Sequence, residues 1–213
     1  MGRTRSGGLI VAVVLVQLTW TIAAMPGLSG QQETGNAALK PPADIARMLA
    51  EQNKIVIVPG LNKKVSGKIE KEDPQYGFAQ GQSPAVLFKL PESTLPYTLK
   101  VSSACNCFGF SKSIFVPSGV FLNTEFIETA KLEEDDLKSK GSNIEALLSI
   151  EGQRLSDRYL LIYTRGDLLG QTAGKVNLGA GGAAGALLFG AMKQSRAAHG
   201  KVELEAAPPK PKK

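Results

Sequence analysis

The residues of this chain best suited to chemistry are its two cysteines, Cys105 and Cys107, which stand one residue apart in the stretch ACNCFGF. A structural zinc site needs four ligands, and the only histidine, His199, lies far along the chain. A catalytic redox pair has the longer spacing C-x-x-C at the start of a helix. The spacing therefore predicts neither a metal site nor a redox centre, and the state of the two thiols depends on the compartment that the chain reaches.

The N-terminus has the features of a cleaved secretory signal peptide, residues 1–24. Arg3 and Arg5 precede an apolar stretch from Leu9 to Ala24 that ends on small residues. As a helix this stretch would span roughly 24 Å, short of the ~30 Å core of a bilayer, which argues against an uncleaved anchor. Cleavage at the end of that stretch, or alternatively after Gly30, predicts a secreted protein.

A signal peptide leads to an oxidising compartment, where we expect a Cys105–Cys107 disulfide at the tip of a hairpin. Asn106 and Gly109 are both turn formers, and the two flanking runs, YTLKVSS and SIFV, are of strand type. A turn brings residues two apart within the Cα separation of ~4.4–6.8 Å that a disulfide spans. Because the closed loop is so small, the expected stabilisation is only about 1 kcal/mol.

Charge excludes one class of partner. Loss of the signal peptide removes two positive charges and no acid, so the net charge falls from +6 to +4. Three of the remaining positive charges lie in the tail AAPPKPKK, and we expect residues 207–213 to form a disordered basic tail. The body is nearly neutral and has no cluster of Lys and Arg that would neutralise phosphates, so nucleic acid is not an expected partner. Membrane association is not favoured either.

The periodicity of the body predicts an all-β fold, an antiparallel β-sandwich with one or two short helices. We expect a flexible lead-in over residues 25–42 and a sandwich domain over residues 43–206. The short runs of strand type, bounded by Pro, Gly, Asn and Asp, are residues 54–58, 85–90, 97–102, 113–116, 120–122, 145–151, 159–164 and 201–206. The helices are predicted at 43–52 and, inside the Gly/Ala-rich segment 174–194, at Ala183–Gln194.

Two further motifs have a structural explanation. KLEEDDLKSKGSN, residues 131–143, carries four successive acids, but it lacks the alternating ligands and the glycine of an EF-hand loop. It is expected to be an exposed loop without a metal. In Arg165-Gly166-Asp167 the carboxylate is expected to cap a helix rather than to mediate adhesion.

Catalytic groups are not recognised in the sequence. His199 is expected to be a polar surface residue, and the carboxylate pairs fall on charged loops without a pocket. The sequence therefore predicts a protein that is not an enzyme and that has no cofactor.

A sugar-binding module is the alternative to consider, because sugar rings stack on flat aromatic side chains. The single tryptophan, Trp20, lies in the signal peptide. Tyr97, Tyr159 and Tyr163 fall on apolar faces and are expected in the core. Tyr76 and Phe78, in the predicted loop QYGFAQG, are then the candidates for an exposed ligand contact, and we expect maltose binding to be weak or undetectable.

Three stretches resemble the maltose operon periplasmic protein (MalM) family: FAQGQSPAVLFKLPESTLPYTLKVSS, SIFVPSGVFLNTEF and LSDRYLLIYTRGDLLGQT. The similarity extends from about Ala43 to Ala206 and is strongest between Phe78 and Thr172. The resemblance implies a signal peptide, no known enzymatic activity and a non-catalytic periplasmic role in maltose and maltodextrin uptake, with components of a carbohydrate-uptake system as partners. The Gly/Ala-rich segment departs from the family, as does the end of the chain just past the last strand. The alternative is a periplasmic or surface carbohydrate-binding or adhesion module.

The signal-peptide prediction is tested by the N-terminus of the secreted protein. Because cleavage is expected at or shortly after Ala24, protein released by osmotic shock should begin near Met25 or Gln31, as read by N-terminal sequencing. Full-length chain retained in the inner membrane would contradict the prediction.

Overall fold

The structure of the chain, a computed structural model, describes residues 38–106, 113–140, 142–176 and 192–209. These residues form one helix, α1 (Pro42–Glu51), and three short 3₁₀ helices at Glu134–Asp136, Gly152–Ser156 and Gly166–Leu168. The strands are β1 (Ile55–Ile57), β2 (Lys63–Ile69), β3 (Tyr76–Phe78), β4 (Gly81–Ser83), β5 (Ala85–Lys89), β6 (Tyr97–Asn106), β7 (Ser113–Ile114), β8 (Ser118–Leu122), β9 (Glu128–Leu132), β10 (Lys138–Lys140), β11 (Asn143–Ile150), β12 (Tyr159–Tyr163), β13 (Thr172–Val176), β14 (Met192–Arg196) and β15 (Gly200–Ala207).

The first sheet has the strand order β1-β5-β12-β8-β9. β1 pairs parallel with β5, and every other neighbouring pair in this sheet is antiparallel. β12 lies in the centre, with Leu161 opposite Leu87 of β5 on one side and opposite Val120 of β8 on the other. The middle strands of this sheet are buried almost throughout.

The second sheet is built around β6, which is long enough to pair with three strands. One edge of β6 pairs antiparallel with β11, which in turn pairs with β10. The other edge of β6 pairs with β15 and, further along at Cys105 and Asn106, with β7. β15 also pairs with β2 on its far side. β7 leads on to β14 and β13. The chain reversal predicted between YTLKVSS and SIFV is therefore present.

The main hydrophobic core lies between the two sheets. Phe88, Phe121 and Leu160 of the first sheet pack with residues such as Leu99 and Leu204 of the second, and all five are fully buried. On each strand these residues alternate with side chains that point away, which is the period of two expected for one buried sheet face. Burying each such side chain stabilises the fold by about 1.5–3 kcal/mol. The predicted all-β sandwich is confirmed.

A third layer covers the outer face of the first sheet. Ile45 and Leu49 of α1 and Phe78 of β3 form a second buried cluster with Leu87 and Leu161. This layer explains why the run YLLIYT is apolar on both faces: one face of β12 packs against the second sheet and the other against the helix and the β3–β4 hairpin.

Helix α1 lies at the predicted position for reasons visible in its sequence. Pro42 occupies the first turn, where its missing N–H needs no partner, and Asp44 in the same turn interacts favourably with the positive helix end. Ile45 and Leu49 lie one turn apart on the buried face. The helix ends before Asn53, which takes the left-handed φ of 55° that asparagine tolerates.

Close contact at the centre of the first sheet requires a glycine. A Cβ atom on Gly119 of β8 would lie 2.6 Å from the backbone oxygen of Leu161. No rotamer change could relieve that clash, because the neighbouring atom belongs to the backbone. The strand predicted at 120–122 begins two residues earlier in the structure, since Ser118 and Gly119 already belong to β8.

A buried ion pair closes the sandwich where the chain crosses from β11 to β12. The Asp157 carboxylate is fully buried; it accepts hydrogen bonds from the Thr129 hydroxyl at 2.5 Å and from Arg154 Nε at 3.3 Å. The Arg154 guanidinium also lies over the Phe121 ring, 4.3 Å from its centroid. One pair thus connects the crossover to β9 and to the core.

Some predicted elements differ from the structure or lie outside the described residues. Met192–Gln194 belong to β14, so the predicted helix Ala183–Gln194 is wrong at its C-terminal end, where backbone pairing with β13 imposes a strand. Residues 177–191 of that segment lie outside the described residues, as do the predicted signal peptide and the end of the tail from residue 210. Within the described ranges, no helix is long and apolar enough to cross a membrane.

The Arg154–Asp157 pair predicts an asymmetric response to mutation. Arg154→Ala should lower the free energy of unfolding by about 3–5 kcal/mol, because it leaves a buried carboxylate without its cation. Urea unfolding of the variant and the parent protein measures the difference.

Lys131→Ala is the matched control, because the Glu128–Lys131 pair is also three residues apart, at 3.5 Å, but is exposed. It should cost at most about 1 kcal/mol. Equal losses in the two variants would contradict the proposed importance of burial.

Candidate functional site

A cavity of about 710 Å³ opens on the surface at the start of β8. Its walls come from the segment before α1, the turn between β3 and β4, the first residues of β8, and β9 with the acidic segment that follows it. We call it the β8–β9 groove. Its lining residues used below are Lys40, Glu128, Lys131, Glu133, Tyr163 and Arg165.

The segment before α1 is held against the β3–β4 hairpin by backbone pairing. Leu39 forms a parallel bridge with Gly77, and the Lys40 N–H donates to the Gly77 carbonyl at 2.9 Å. This pairing brings Lys40 to the groove, and Leu39 beside it is 75% exposed. Residues 38–41 of the predicted lead-in therefore lie against the hairpin and contribute to the site.

Hydrogen bonds fix the acidic wall of the groove, and because Glu133, Glu134 and Asp135 line this cavity, the expectation that such carboxylates lie on loops without a pocket is wrong. Glu133 and Asp136 form a capping box around the 3₁₀ turn, with the Glu133 N–H donating to Asp136 Oδ2 at 3.0 Å. Arg196 donates to both carboxylate oxygens of Glu134, at 2.9 and 2.5 Å. The described residues contain no group of three His, Cys, Asp or Glu side chains placed to hold a metal ion.

Most of the described residues within 131–143 are exposed, as predicted, but the stretch is only partly a loop, because Lys131 and Leu132 end β9 and Asn143 begins β11. Leu132 is buried in the core, and Lys138–Lys140 form the short edge strand β10. The sequence missed β10 because KSK has no apolar residue that would reveal its periodicity.

Tyr163 lies in the floor of the groove. Its ring stacks on Phe78, with centroids 4.0 Å apart and planes 9° apart. Burial raises the pKa of the Tyr163 hydroxyl above its ordinary value; the Glu128 and Glu133 carboxylates raise it further, and Arg165 opposes them. The hydroxyl therefore stays protonated at neutral pH and can donate a hydrogen bond.

The charges of the groove are of both signs and partly paired. Glu128 and Lys131 lie 3.5 Å apart on the same strand, and Arg165 makes two hydrogen bonds to Asp167, at 3.2 and 2.7 Å. Such a surface is not selective for a strongly charged ligand. It offers donors and acceptors side by side, which suits a polar partner that binds through many hydrogen bonds.

The two predicted aromatic contacts, Tyr76 and Phe78, are buried. QYGFAQG is not a loop: residues 76–78 form β3, and both side chains belong to the cluster beneath α1. Phe78 is 1% exposed and Tyr76 9%. The expectation of an exposed contact is therefore corrected. The apolar outer face of the first sheet has to be covered, and these two rings cover part of it.

The other predicted tyrosines divide as follows. Tyr97 and Tyr163 are buried, whereas Tyr159 is only partly buried, at the edge of the cluster beneath α1. Tyr97 lies between the sheets, and burial is the main cause that raises its pKa, to about 12.

Of the two cysteines in the predicted disulfide, the structure describes Cys105. Cys105 lies near the end of β6, opposite Ile114, and its N–H donates to the Ser142 carbonyl at 3.1 Å. Cys107 lies outside the described residues, so the Cys105–Cys107 disulfide stays a prediction.

Cys105 also borders a second cavity, of about 520 Å³, together with His199. His199 is exposed, as expected.

The helix-cap prediction for Asp167 is wrong. The residue lies inside the 3₁₀ turn Gly166–Leu168, whose N-cap is Arg165. Its carboxylate pairs with the Arg165 guanidinium, and this contact lowers the pKa of Asp167 and raises that of Arg165. Asp167 does not cap a helix because the chain forms only a three-residue 3₁₀ turn here. Gly166 packs closely against the backbone of Gln82 in this turn, and a Cβ atom on Gly166 would lie 2.6 Å from the Gln82 carbonyl oxygen.

Neither a comparison with protein-family models nor a search of curated proteins finds a match to this chain.

The buried tyrosines predict a loss of stability at alkaline pH. Burial raises the pKa of Tyr76, Tyr97 and Tyr163, so the folded state holds these phenolic protons more tightly than the unfolded chain. Their contribution to stability is complete below pH ~10 and is lost as the pH rises through their raised pKa values, the value for Tyr97 being about 12. Urea midpoints measured across this range, with ultraviolet titration of the phenolates, give the test.

Tyr97→Phe is the informative variant, because it removes the group with the largest raised value. It should flatten the fall in stability between pH ~10 and about 12. Titration of all the tyrosines together at their ordinary pKa in the folded protein would contradict the prediction.

Proposed function

We propose that this chain is a secreted, periplasmic, non-catalytic accessory protein of maltose and maltodextrin uptake. The proposal is supported by the signal-peptide features of residues 1–24, by the three stretches that resemble the maltose operon periplasmic protein family, and by the β-sandwich that carries them. In this role the protein contacts a component of a carbohydrate-uptake system rather than transforming a substrate.

The observation that carries the proposal is the composition of the β8–β9 groove. Lys40, Lys131 and Arg165 stand among carboxylates, and the Tyr163 hydroxyl adds a neutral donor. Interfaces between proteins that associate reversibly are about as polar as the rest of the protein surface, and they contain many hydrogen bonds and bridging water molecules. The groove has this chemistry.

The edge of the first sheet gives the partner a place to bind. β9 is the last strand of that sheet in the described chain, and Glu128, Thr129 and Lys131 along it are exposed. The free backbone groups of an edge strand accept an extended segment of another chain. The proposed partner contact is therefore an extended segment that runs along β9 and places its polar side chains in the groove.

An adhesion role is less well supported. Arg165 and Asp167 of the RGD sequence satisfy each other, at 2.7 Å, within one tight turn. Both side chains would have to leave this pair before they could reach a receptor.

Deletion of the gene in its source organism tests the function. Growth on maltodextrin should slow, whereas growth on glucose should not, because the missing protein assists uptake and no central reaction. Unchanged growth on maltodextrin would contradict the proposal.

Complementation of that strain tests the groove. Glu128→Lys reverses a charge inside the groove and should fail to restore growth, because Glu128 pairs with Lys131 and lines the same cavity as Tyr163. Glu70→Lys is the matched control: Glu70 also belongs to an exposed Lys–Glu pair, but outside this groove, and the variant should restore growth. Exposed pairs contribute at most about 1 kcal/mol, so both variants should fold.

A further inference from the structure

Phe126 has a backbone conformation that is unfavourable for a bulky residue. Its φ is 61°, in the left-handed region where glycine is the usual residue and asparagine is tolerated. Such a conformation costs about 1–3 kcal/mol and persists only where the surroundings enforce it. The ring is also only partly buried, so burial offsets only part of this cost.

A tight turn between β8 and β9 enforces the conformation. Asn123 Oδ1 accepts hydrogen bonds from the N–H groups of Glu125 and Ile127, both at 2.9 Å. The Asn123 carbonyl accepts from the Phe126 N–H at 3.1 Å, and the Asn123 N–H donates to the Ile127 carbonyl at 3.0 Å. The turn therefore fixes the direction in which the Phe126 side chain leaves the backbone.

That direction places Phe126 in a stack with Tyr159 at the start of β12. The ring centroids are 4.8 Å apart and the planes differ by 12°. We call these two partly buried rings the aromatic platform. Beside it Ile127 is 55% exposed, so the surface next to the platform is open to a partner.

The platform is only loosely covered. The Arg47 guanidinium lies 5.8 Å from the Phe126 centroid, whereas the guanidinium of Arg154 lies 4.3 Å from Phe121 in the core. Arg47 is about half exposed, and its only ion pair in the described chain is with Asp44 at 3.6 Å. A pair of this kind contributes little, so Arg47 can swing outwards when a ligand approaches.

The charges around the platform select for a neutral ligand. Arg47 is paired with Asp44, and Lys89, which lies opposite Tyr159 in the first sheet, is paired with Glu92 at 3.5 Å. Because both cations are already paired, neither is free for an anionic ligand. A neutral molecule with one apolar face and a polar rim would use both the rings and the surrounding charged groups.

We propose that the aromatic platform binds the apolar C–H face of a pyranose ring in a neutral oligosaccharide, with Arg47 hydrogen bonding to ring hydroxyls. The inference deepens the proposed function, on which the choice of a sugar rests. It places the sugar at the opposite end of β12 from the β8–β9 groove. A single stacking surface without a closed pocket gives weak binding, in the millimolar range, which is about 4 kcal/mol.

The test is a titration of the ¹⁵N-labelled secreted protein with maltose, followed by amide chemical shifts. We expect shifts at residues 123–127 and around Tyr159. Shifts confined to the groove residues, or no shifts at millimolar maltose, would overturn the inference. The growth phenotype of the deletion strain does not depend on this result, so the two proposals can fail separately.

Phe126→Gly separates binding from a merely structural role, because it removes the ring and also relieves the strain at φ 61°. We expect the maltose shifts to be lost while the thermal midpoint changes little, because the relieved strain and the lost packing of the ring oppose each other. Unchanged maltose shifts in the folded variant would contradict a binding role. Phe126→Tyr should keep the shifts, as should Leu147→Ala, which removes another exposed apolar side chain, 63% exposed, from the second sheet.

Discussion

The architecture depends on the burial of both faces of β12. Leu160 and Ile162 point into the core between the sheets, and Leu161 points the other way, so a two-layer sandwich would leave an apolar sheet face in water. At about 25 cal/mol per Å² of apolar surface, leaving that face uncovered would cost several kcal/mol. Helix α1 and the β3–β4 hairpin pack on this face and cover it.

The second sheet meets the same problem in a different way. Its outer face is not covered by another layer in the described chain and instead carries charged side chains in cross-strand groups. Glu203 of β15 accepts hydrogen bonds from Lys64 and Lys201, and these contacts lower its pKa. Glu145 of β11 lies between Lys100 and Lys140, at 3.3 and 3.6 Å. Each of these carboxylates is shared by two lysines, and the charged groups keep the outer face of the second sheet polar.

The sequence predicts the elements that have a clear period and misses those that do not. YTLKVS alternates over one buried face, and ADIARMLAEQ places Ile45 and Leu49 one turn apart, so both elements are found where expected. β9, ETAKL, has one buried residue, Leu132, and owes its pairing to β8 rather than to its own composition.

The burial of Tyr76 and Phe78 is not predicted by the sequence, because a three-residue strand next to Asp73-Pro74 has the composition of a loop. Only the need to cover the first sheet explains why both side chains are buried. Phe126 was missed for a related reason. The signal lay in Asn123, whose side chain sets the turn, and not in the aromatic residue itself.

The limited size of the third layer explains where binding surfaces can lie. A helix of ten residues is about 15 Å long, and with the β3–β4 hairpin it covers the middle of the outer face of the first sheet. On β12 the residues of that face are Tyr159, Leu161 and Tyr163. Leu161 lies beneath the cover and is fully buried. The two tyrosines lie at the ends of the strand, one in the aromatic platform and one in the floor of the β8–β9 groove. An aromatic ring with a hydroxyl group suits both positions, since the ring packs against the third layer while the hydroxyl can face a wet surface. The need to bury one central strand therefore also determines that the two candidate contact surfaces lie at its opposite ends.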